Sequence, residues 1–358
     1  MRNLLAFFFL IATLACAQTH PEYKVEKLAE GVYALIRQDP VGWMVVSNCV
    51  FIINDEDVVV VDTGGANSLA KQMISELRKL TNKPVRYVIN THWHDDHILG
   101  NAAYKEAYPQ AEFVAHAATR EYLPAKGIAA RKSMEEGAPG FAKQLQAAID
   151  KKESLAGGPM SDEERTAYES DIRLVNRYLA EVKDTPIVLP TITVNDRWTL
   201  YRGGRVIDVR YFGRAHTSGD IVVHLPKEGI LITGDIVMSP IPLVGSDQSH
   251  VADWSRTLER LRTLQASIIV PGHGPVLHDD RQLELMSRMF MSITQQTKAG
   301  IAKGETLDEI QKGIDLNEFK AALAGDSTLK KILFANYVRV PATASAYSDL
   351  GGKSAAAQ

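Results

Sequence analysis

The apolar positions of this chain change period several times, and the changes divide it into elements. Short runs rich in β-branched residues lie at 33–36, 44–46, 49–53 and 58–61. Asn54, Asp55, Glu56 and Asp57 supply turn chemistry between the last two, so the chain predicts an antiparallel opening of strands. Leu69, Met73, Leu77 and Leu80 then recur at helical spacing. A strand over 85–90, a helix from about Leu99 and a strand over 112–115 follow. Runs at 192–194 and 199–201 read as a second opening, and apolar runs at 206–212, 229–233 and 266–270 come after it. Strands and helices alternating in this way suit two sheets packed between outer helices.

Two stretches fall outside that alternation. Residues 118–186 form a long, charged segment, with a Ser161–Glu164 capping box ahead of a stripe of Tyr168, Ile172, Val175, Leu179 and Val182. The stripe is expected to pack into a core. Beyond His278, Leu283, Met286, Met289, Phe290 and Ile293 keep a helical period, and Thr306 with Glu309 caps a further helix before Ile310 and Ile314. This extension, 281–358, ends in small residues over 351–358 that predict a flexible tail. Packing, a cover over a site mouth and a dimer contact are all open roles for it.

The 358 residues are enough for a substantial core, and 45% hydrophobic with 23% charged content is ordinary for a globular protein. A net charge of −3 gives no electrostatic case for nucleic acid or an anionic membrane. The N-terminus reads as an export signal over 1–17. Arg2 precedes an apolar run at 4–14 too short to span a bilayer, and Ala15-Cys16-Ala17 fits small-residue cleavage after Ala17. Periplasmic or secreted location follows, with no membrane span after cleavage. Lipidation of Cys16 is the alternative, disfavoured by Thr13 three residues before it. Cys49 would then be the remaining thiol, without an intrachain disulfide.

The densest chemistry is His92-Trp93-His94-Asp95-Asp96-His97, directly after a strand-like run. Alternate side chains of an extended segment point the same way, so His92 and His94 can grip one ion, while Asp96 and His97 reach a second point past the turn. Nitrogen ligands with a carboxylate suit zinc and related ions better than calcium or magnesium. Three further candidates, His216, Asp235 and His273, each follow an apolar run beside glycine, which permits a tight turn and a close backbone approach. Strand ends of an open sheet converge, so the four motifs can meet at one place. His116 and His224 sit in or at the end of strand-like runs and read as structural. Asp95, the unassigned acid of the hexapeptide, reads as a solvated or hydrogen-bonded loop residue, with a proton shuttle as the alternative.

These residues resemble the metallo-β-lactamase-fold hydrolase superfamily. The resemblance runs from roughly Tyr23 to His278 and includes Val58-Val-Val-Val-Asp62-Thr-Gly64 as the first motif. It implies an α/β protein, a four-layer αββα sandwich over 18–280, with the helical insertion at about 118–186 and the C-terminal helical extension. It further implies two zinc ions: His92, His94 and His216 would hold one, and Asp96, His97 and His273 the other. Asp235 would bridge them, together with a water or hydroxide, and Asp62 would orient a ligand from behind. Asp96 and Asp235 would then be the catalytic carboxylates around a hydroxide nucleophile. In this superfamily insertions between the first and second ligand motifs often flank the substrate mouth.

The activity implied is hydrolysis of a small-molecule ester, lactone or amide, β-lactams included. In one major β-lactamase group a cysteine fills the position of Asp235, and export disfavours thioester and RNA substrates. Trp43, in a loop over 38–44, is either an apolar platform for substrate or a cap on the sheet edge. His250 and His278 lie near the motif loops and could reach a substrate, His250 being taken with Trp43 as a pocket candidate, and residues 239–243 can line a pocket. Two rival readings remain: a mononuclear iron sulfur dioxygenase, and a non-catalytic accessory protein of a periplasmic cofactor pathway. Flavodiiron relatives carry glutamate where this chain has His94, which argues against that iron branch.

If the export reading holds, the mature chain should begin at Gln18 and carry no lipid, and intact-mass measurement checks both. A mass matching lipid-modified Cys16 at the N-terminus would refute it.

Overall fold

The computed structural model describes residues 22–245 and 249–352. The expected signal segment, its cleavage point and Cys16 lie outside the described residues, as does the tail from 353 onward. Twelve strands among the described residues form two sheets. The first contains β1 (Tyr23–Ala29), β2 (Val32–Arg37), β3 (Cys49–Ile53), β4 (Val58–Val61), β5 (Val85–Ile89), β6 (Glu112–His116) and β7 (Ile192–Val194), in that spatial order. Pairs from β1 to β4 are antiparallel and those from β4 to β7 parallel. The second runs β12 (Ile268–His273), β11 (Ile230–Met238), β10 (Ile221–Leu225), β9 (Arg205–Tyr211), β8 (Arg197–Arg202), with β11 and β12 parallel and the others antiparallel.

The period of two along each strand decides which layer each side chain joins. On β3 and β4, Val50, Ile52, Val59 and Val61 face inward and pack against Ile207, Val209, Ile221, Val223, Ile230 and Ile232 of the second sheet. Their neighbours Cys49, Phe51, Val58 and Val60 face outward, under Leu69, Met73 and Leu77 of α1 (Asn67–Leu80). On the second sheet Val222 and Leu231 face outward and meet another helical layer. Sheets with apolar residues on both faces need helices on both sides, and the result is the four-layer αββα arrangement.

Parallel crossovers need helices, which are α1 between β4 and β5, and α2 (Asp95–Ile98) with α3 (Asn101–Ala107) between β5 and β6. Between β6 and β7 the chain makes α4 (Ala117–Tyr122), a π-helical turn at Leu123–Gly127, α5 (Ile128–Lys151) and α6 (Asp162–Glu181). Ser161 and Glu164 form the reciprocal capping box at the start of α6. After β11 comes α7 (Val251–Arg262), and after β12 come α8 (Arg281–Ala302), α9 (Leu307–Gly313), α10 (Asn317–Ala324), α11 (Thr328–Phe334) and α12 (Val340–Asp349). Among the described residues no helix is long and apolar enough to cross a membrane.

Two expectations need correction. The run at 44–46 is not a strand: its segment crosses the sheet ends as irregular chain. Its backbone hydrogen bonds go elsewhere, Trp43 and Met44 N–H to the Asp171 carboxylate (3.0 and 2.8 Å) and Ser47 N–H to the Asp96 carbonyl (3.2 Å). The run at 192–194 does not open the second sheet but closes the first, as β7 beside β6. α11 and α12 were not legible as separate helices, because short apolar runs among alanines carry little periodic signal.

The C-terminal helices belong to the core. Met286, Met289, Phe290 and Ile293 of α8 are fully buried with Trp254 and Leu258 of α7, and the Phe290 ring stacks on Trp254 at 4.5 Å. Truncating a buried phenylalanine costs about 3–5 kcal/mol. Phe290→Ala should therefore lower unfolding stability by that order in a denaturant titration. A loss below about 1 kcal/mol would mean that α8 is a loosely attached appendage.

Candidate metal centre

The site forms where the two sheets' strand ends meet. β5 delivers Thr91 and His92 just past its C-terminal end, and the short α2 turns Asp96 and His97 back toward them. His216 follows β9, Asp235 lies within the buried β11, and His273 ends β12. Hydrogen bonds stitch the seam: Ile221 N–H to the Thr91 carbonyl at 2.9 Å, and Asn48 N–H to the Gly272 carbonyl at 2.8 Å. Glycine is required at two places. A Cβ at Gly272 would overlap the Asp235 carboxylate, and Gly234, at φ +52°, has its missing Cβ position filled by the Thr91 side chain.

All seven candidate side chains come together, in two groups. His92, His94, His216 and Asp235 form one, and Asp96, His97, Asp235 and His273 the other, with ligand atoms in each within 4.8 Å of one another. Asp235 Oδ2 lies 3.4 Å from His216 Nε2 and 4.0 Å from His92 Nε2, while Oδ1 lies 3.1 Å from His97 Nε2 and 3.3 Å from His273 Nε2. One carboxylate thus turns one oxygen to each group. His216 Nε2 is 2.9 Å from His94 Nδ1, and Asp96 Oδ2 is 3.2 Å from His273 Nε2. Two ligands on a tetrahedral zinc ion, each bonded at 2.0–2.1 Å, lie about 3.3 Å apart, so these spacings fit that ion.

The donor chemistry fits it too. His92 Nε2, Asp96 Oδ2 and Asp235 Oδ1 are buried and make no hydrogen bond. Orphaned buried groups of this kind are rare and call for a partner. The opposite ring nitrogens are mostly committed. The Thr91 hydroxyl donates to Asp62 Oδ2 (2.8 Å) and so accepts from His92 Nδ1 (3.1 Å). His97 Nδ1 donates to Asp62 Oδ2 (2.8 Å), and His273 Nδ1 donates to the Val46 carbonyl (3.2 Å). Each bond leaves the Nε2 lone pair facing the cluster. His216 is instead held by packing, its ring edge-on to Trp254 at 5.5 Å. Asp62 does its work from a left-handed backbone, φ +56°, which ends β4 and swings the carboxylate under β5.

Electrostatics divide the histidines. Burial, and the neighbouring histidines, push His92 well below the usual imidazole range, and burial takes His216 down to about 3, so both stay neutral as ligands must. Burial also opposes charge on His97 and His273. The carboxylates of Asp235, Asp96 and Asp62 overcome it at His97, and those of Asp235 and Asp96 lift His273 to about 9. Burial would raise the Asp235 carboxyl, yet His273 and His97 hold it well below the carboxylate range. The carboxylates at the second group thus attract positive charge there, which a bound cation would supply.

Above the metal groups lies a cavity of about 330 Å³, touching His94 and Asp96 and walled by Trp43, Met44, Val46, Trp93, Met134, Leu174 and Tyr178. Trp43 lines it with its ring edge-packed on Phe141 and Tyr337. His250 and His278 do not line it. His250 sits at the start of α7 with both ring nitrogens occupied, by the Ser218 hydroxyl (2.7 Å) and by Asp349 (3.1 Å). The segment at 239–243 lines a smaller cavity of about 100 Å³ on the other side of Val45 and Val46, which reaches His273. His116 accepts from Ala118 N–H as the cap of α4, and His224 lies buried in β10.

Sequence reading missed the clamp on Asp95. Arg131 of α5 grips it through Nε (3.0 Å) and Nη2 (2.7 Å), and Tyr178 of α6 donates to it at 2.9 Å. An arginine and a tyrosine scattered in a charged insertion carry no spacing signal. Tyr178 lay one residue from the expected stripe, and its hydroxyl was the available clue.

The sequence profile of the metallo-beta-lactamase superfamily matches residues 42–273. A linear primary-alkylsulfatase from Pseudomonas sp. (strain ATCC 19151) is 25% identical over 281 residues, covering 73% of this chain and 48% of that protein. The chain thus spans about half the length of that relative. A type 2 metallo-beta-lactamase from Bacillus sp. (strain 170) is 27% identical over 239 residues, 66% of this chain and 69% of the relative. Among solved structures, a metallo-beta-lactamase from Pontibacter korlensis superposes with a TM-score of 0.50 at 20% identity, over 75% of this chain and 99% of its own, a likeness of fold.

Asp62 accepts three hydrogen bonds that a single amide oxygen cannot replace. Asp62→Asn should weaken zinc binding about 10–100-fold, with the far-ultraviolet circular dichroism unchanged. Chelator competition measures it, and wild-type affinity would show that Asp62 does not orient His97.

Proposed function

The chain belongs to the metallo-beta-lactamase superfamily, and we propose that it is a metal-dependent hydrolase, an exported dinuclear zinc enzyme acting on a small ester, lactone or amide. The observation that carries this reading is the sharing of Asp235 between two groups of orphaned ligand atoms at the floor of an apolar cavity. Zinc in both groups would supply Lewis acidity for a substrate oxygen and would make water a nucleophile near neutral pH.

The chain's own residues prepare that chemistry. Asp235 offers one oxygen to each group and offsets the repulsion of two cations across a short gap. Asp62 and Thr91 fix the tautomers of His97 and His92. Asp96 Oδ2 faces the second group without a hydrogen bond, which suits a ligand. Arg131 and Tyr178 hold Asp95, and with it the turn bearing Asp96, to the helical roof. That roof and the apolar wall set low-polarity surface beside the site, where charge interactions are stronger than in bulk water.

The cavity volume is that of a small-molecule site. Esters, lactones and amides, β-lactams among them, are the candidate substrates, and the similarity to an alkylsulfatase adds sulfate esters. Export rests on the segment at 1–17 and places the enzyme in the periplasm or outside the cell. The buried Cys49 thiol, free of any disulfide, is compatible with either compartment.

The experiment is a panel of esters, lactones, β-lactams and alkyl sulfates offered to the zinc-loaded protein, repeated with two variants. Asp235→Ala should lose zinc from both groups and reduce turnover of a responsive substrate beyond the roughly 100-fold typical of an outer partner. His250→Ala should keep both ions and a near-native rate. Full zinc occupancy and near-native turnover in Asp235→Ala would refute the bridging role. Tight iron binding with no second site on zinc titration would favour a mononuclear oxygenase instead.

A further inference from the structure

Met44, Ala130 and Met134 line two hollows at once. One is the cavity above the metal groups, and the other is an apolar groove of about 370 Å³ along α5. The groove continues over Ser133, Gly137 and Ala138 to Phe141. These positions recur at three- and four-residue spacing, so they share one helix face, about 16 Å long at about 1.5 Å per residue. Aromatic rings join the hollows as well. Phe141 packs edge-on at 5.9 Å against Trp43, which lines the cavity.

The groove is open to solvent. Ala130, Ser133 and Gly137 are exposed, and Met44, Met134 and Phe141 are half-buried. No charged side chain lines it, and Lys132 and Glu136 of the same helix pair with each other at 3.9 Å. Apolar surface left in water beside a binding cavity favours an apolar occupant, and a polar one would find few partners there. Gly137 lies inside α5, where glycine destabilises a helix relative to alanine. A Cβ there would meet nothing within 4 Å, so close packing does not require glycine; what its absence leaves is room in the groove. The methionines at the junction have flexible side chains that can yield to a chain passing between them.

We infer that the substrate carries a long, uncharged aliphatic tail. The scissile ester or amide lies at the metal groups, the first part of the tail fills the cavity, and the rest passes Met44 and Met134 into the groove along α5. This rests on the hydrolase reading above and names its substrate class. Gly137 is then the residue that sets tail length, and no bond changes in the groove.

The test uses the zinc-loaded full chain with p-nitrophenyl butyrate, hexanoate, octanoate and decanoate, each below its aggregation concentration. In the wild type kcat/KM should rise about two- to fourfold for each added methylene, expressed in KM. Gly137→Leu fills the groove and should halt the rise at the shorter chains, so that the decanoate-to-butyrate ratio falls about tenfold or more. Gly140 has equally open space around it but does not line the groove, and Gly140→Leu should keep the wild-type profile. A flat or falling wild-type profile, an unchanged profile in Gly137→Leu, or an equal loss in Gly140→Leu overturns the inference. Calorimetric binding of decan-1-ol against butan-1-ol separates it from the hydrolase reading. If no ester is turned over but decan-1-ol binds the more tightly and Gly137→Leu weakens it, the hydrolase reading fails and the groove stands. Decan-1-ol binding that is absent, or equal in Gly137→Leu, overturns the groove.

Discussion

The structure turns on the burial of carboxylate charge at the seam between the two sheets. Asp62, Asp235 and the half-buried Asp96 converge there, ringed by five histidines, and the first two are almost wholly withdrawn from water. Withdrawing so many ionised groups is costly unless each is paired. Hydrogen bonds settle Asp62, through Thr91 and His97. They do not settle Asp235 Oδ1, Asp96 Oδ2 or His92 Nε2, and those three atoms face the two ligand groups. Cations shared across Asp235, as proposed, would account for all three at once.

Much of the surrounding architecture serves that seam. Gly272 and Gly234 lack side chains because the Asp235 carboxylate and Thr91 occupy the space. β11 is buried along its whole length, so Asp235 sits on a rigid strand and not on a loop. α5 and α6 reach it through the Asp95 clamp, and Asp171 of α6 holds the 43–44 backbone across the mouth. Tyr337, from the C-terminal helices, donates to the Trp43 carbonyl and secures the same segment from the other side. Both additions to the two-sheet core therefore act on the strap that separates the larger cavity from the smaller.

The two-sheet plan was legible because β-branched runs of four to six residues, punctuated by glycine and acidic turns, are strong local signals. The seven ligand candidates were legible for a related reason. Chemistry placed at strand ends beside glycine appears in sequence as a motif, and Asp62 carried a motif of its own. Trp43 was left open between a substrate platform and a sheet-edge cap, because its packing on Phe141 and Tyr337 joins residues about 100 and 300 positions away, which no local pattern reports. The 44–46 run misled for the same kind of reason: its backbone partners, Asp171 for Met44 N–H and His273 for the Val46 carbonyl, are distant in sequence. His250 was drawn toward substrate by its place near the motif loops, whereas its bond to Asp349 lies 99 residues on. Arg131 and Arg177 carry no motif in the sequence, and only the fold shows them in the cavity wall.

The most direct test is a crystal of the zinc-loaded protein measured on either side of the zinc absorption edge. Two anomalous peaks about 3.5–4 Å apart should appear, one among His92, His94 and His216 and the other among Asp96, His97 and His273, with Asp235 between them. One peak alone, or a signal at the iron edge in place of zinc, would contradict the dinuclear account.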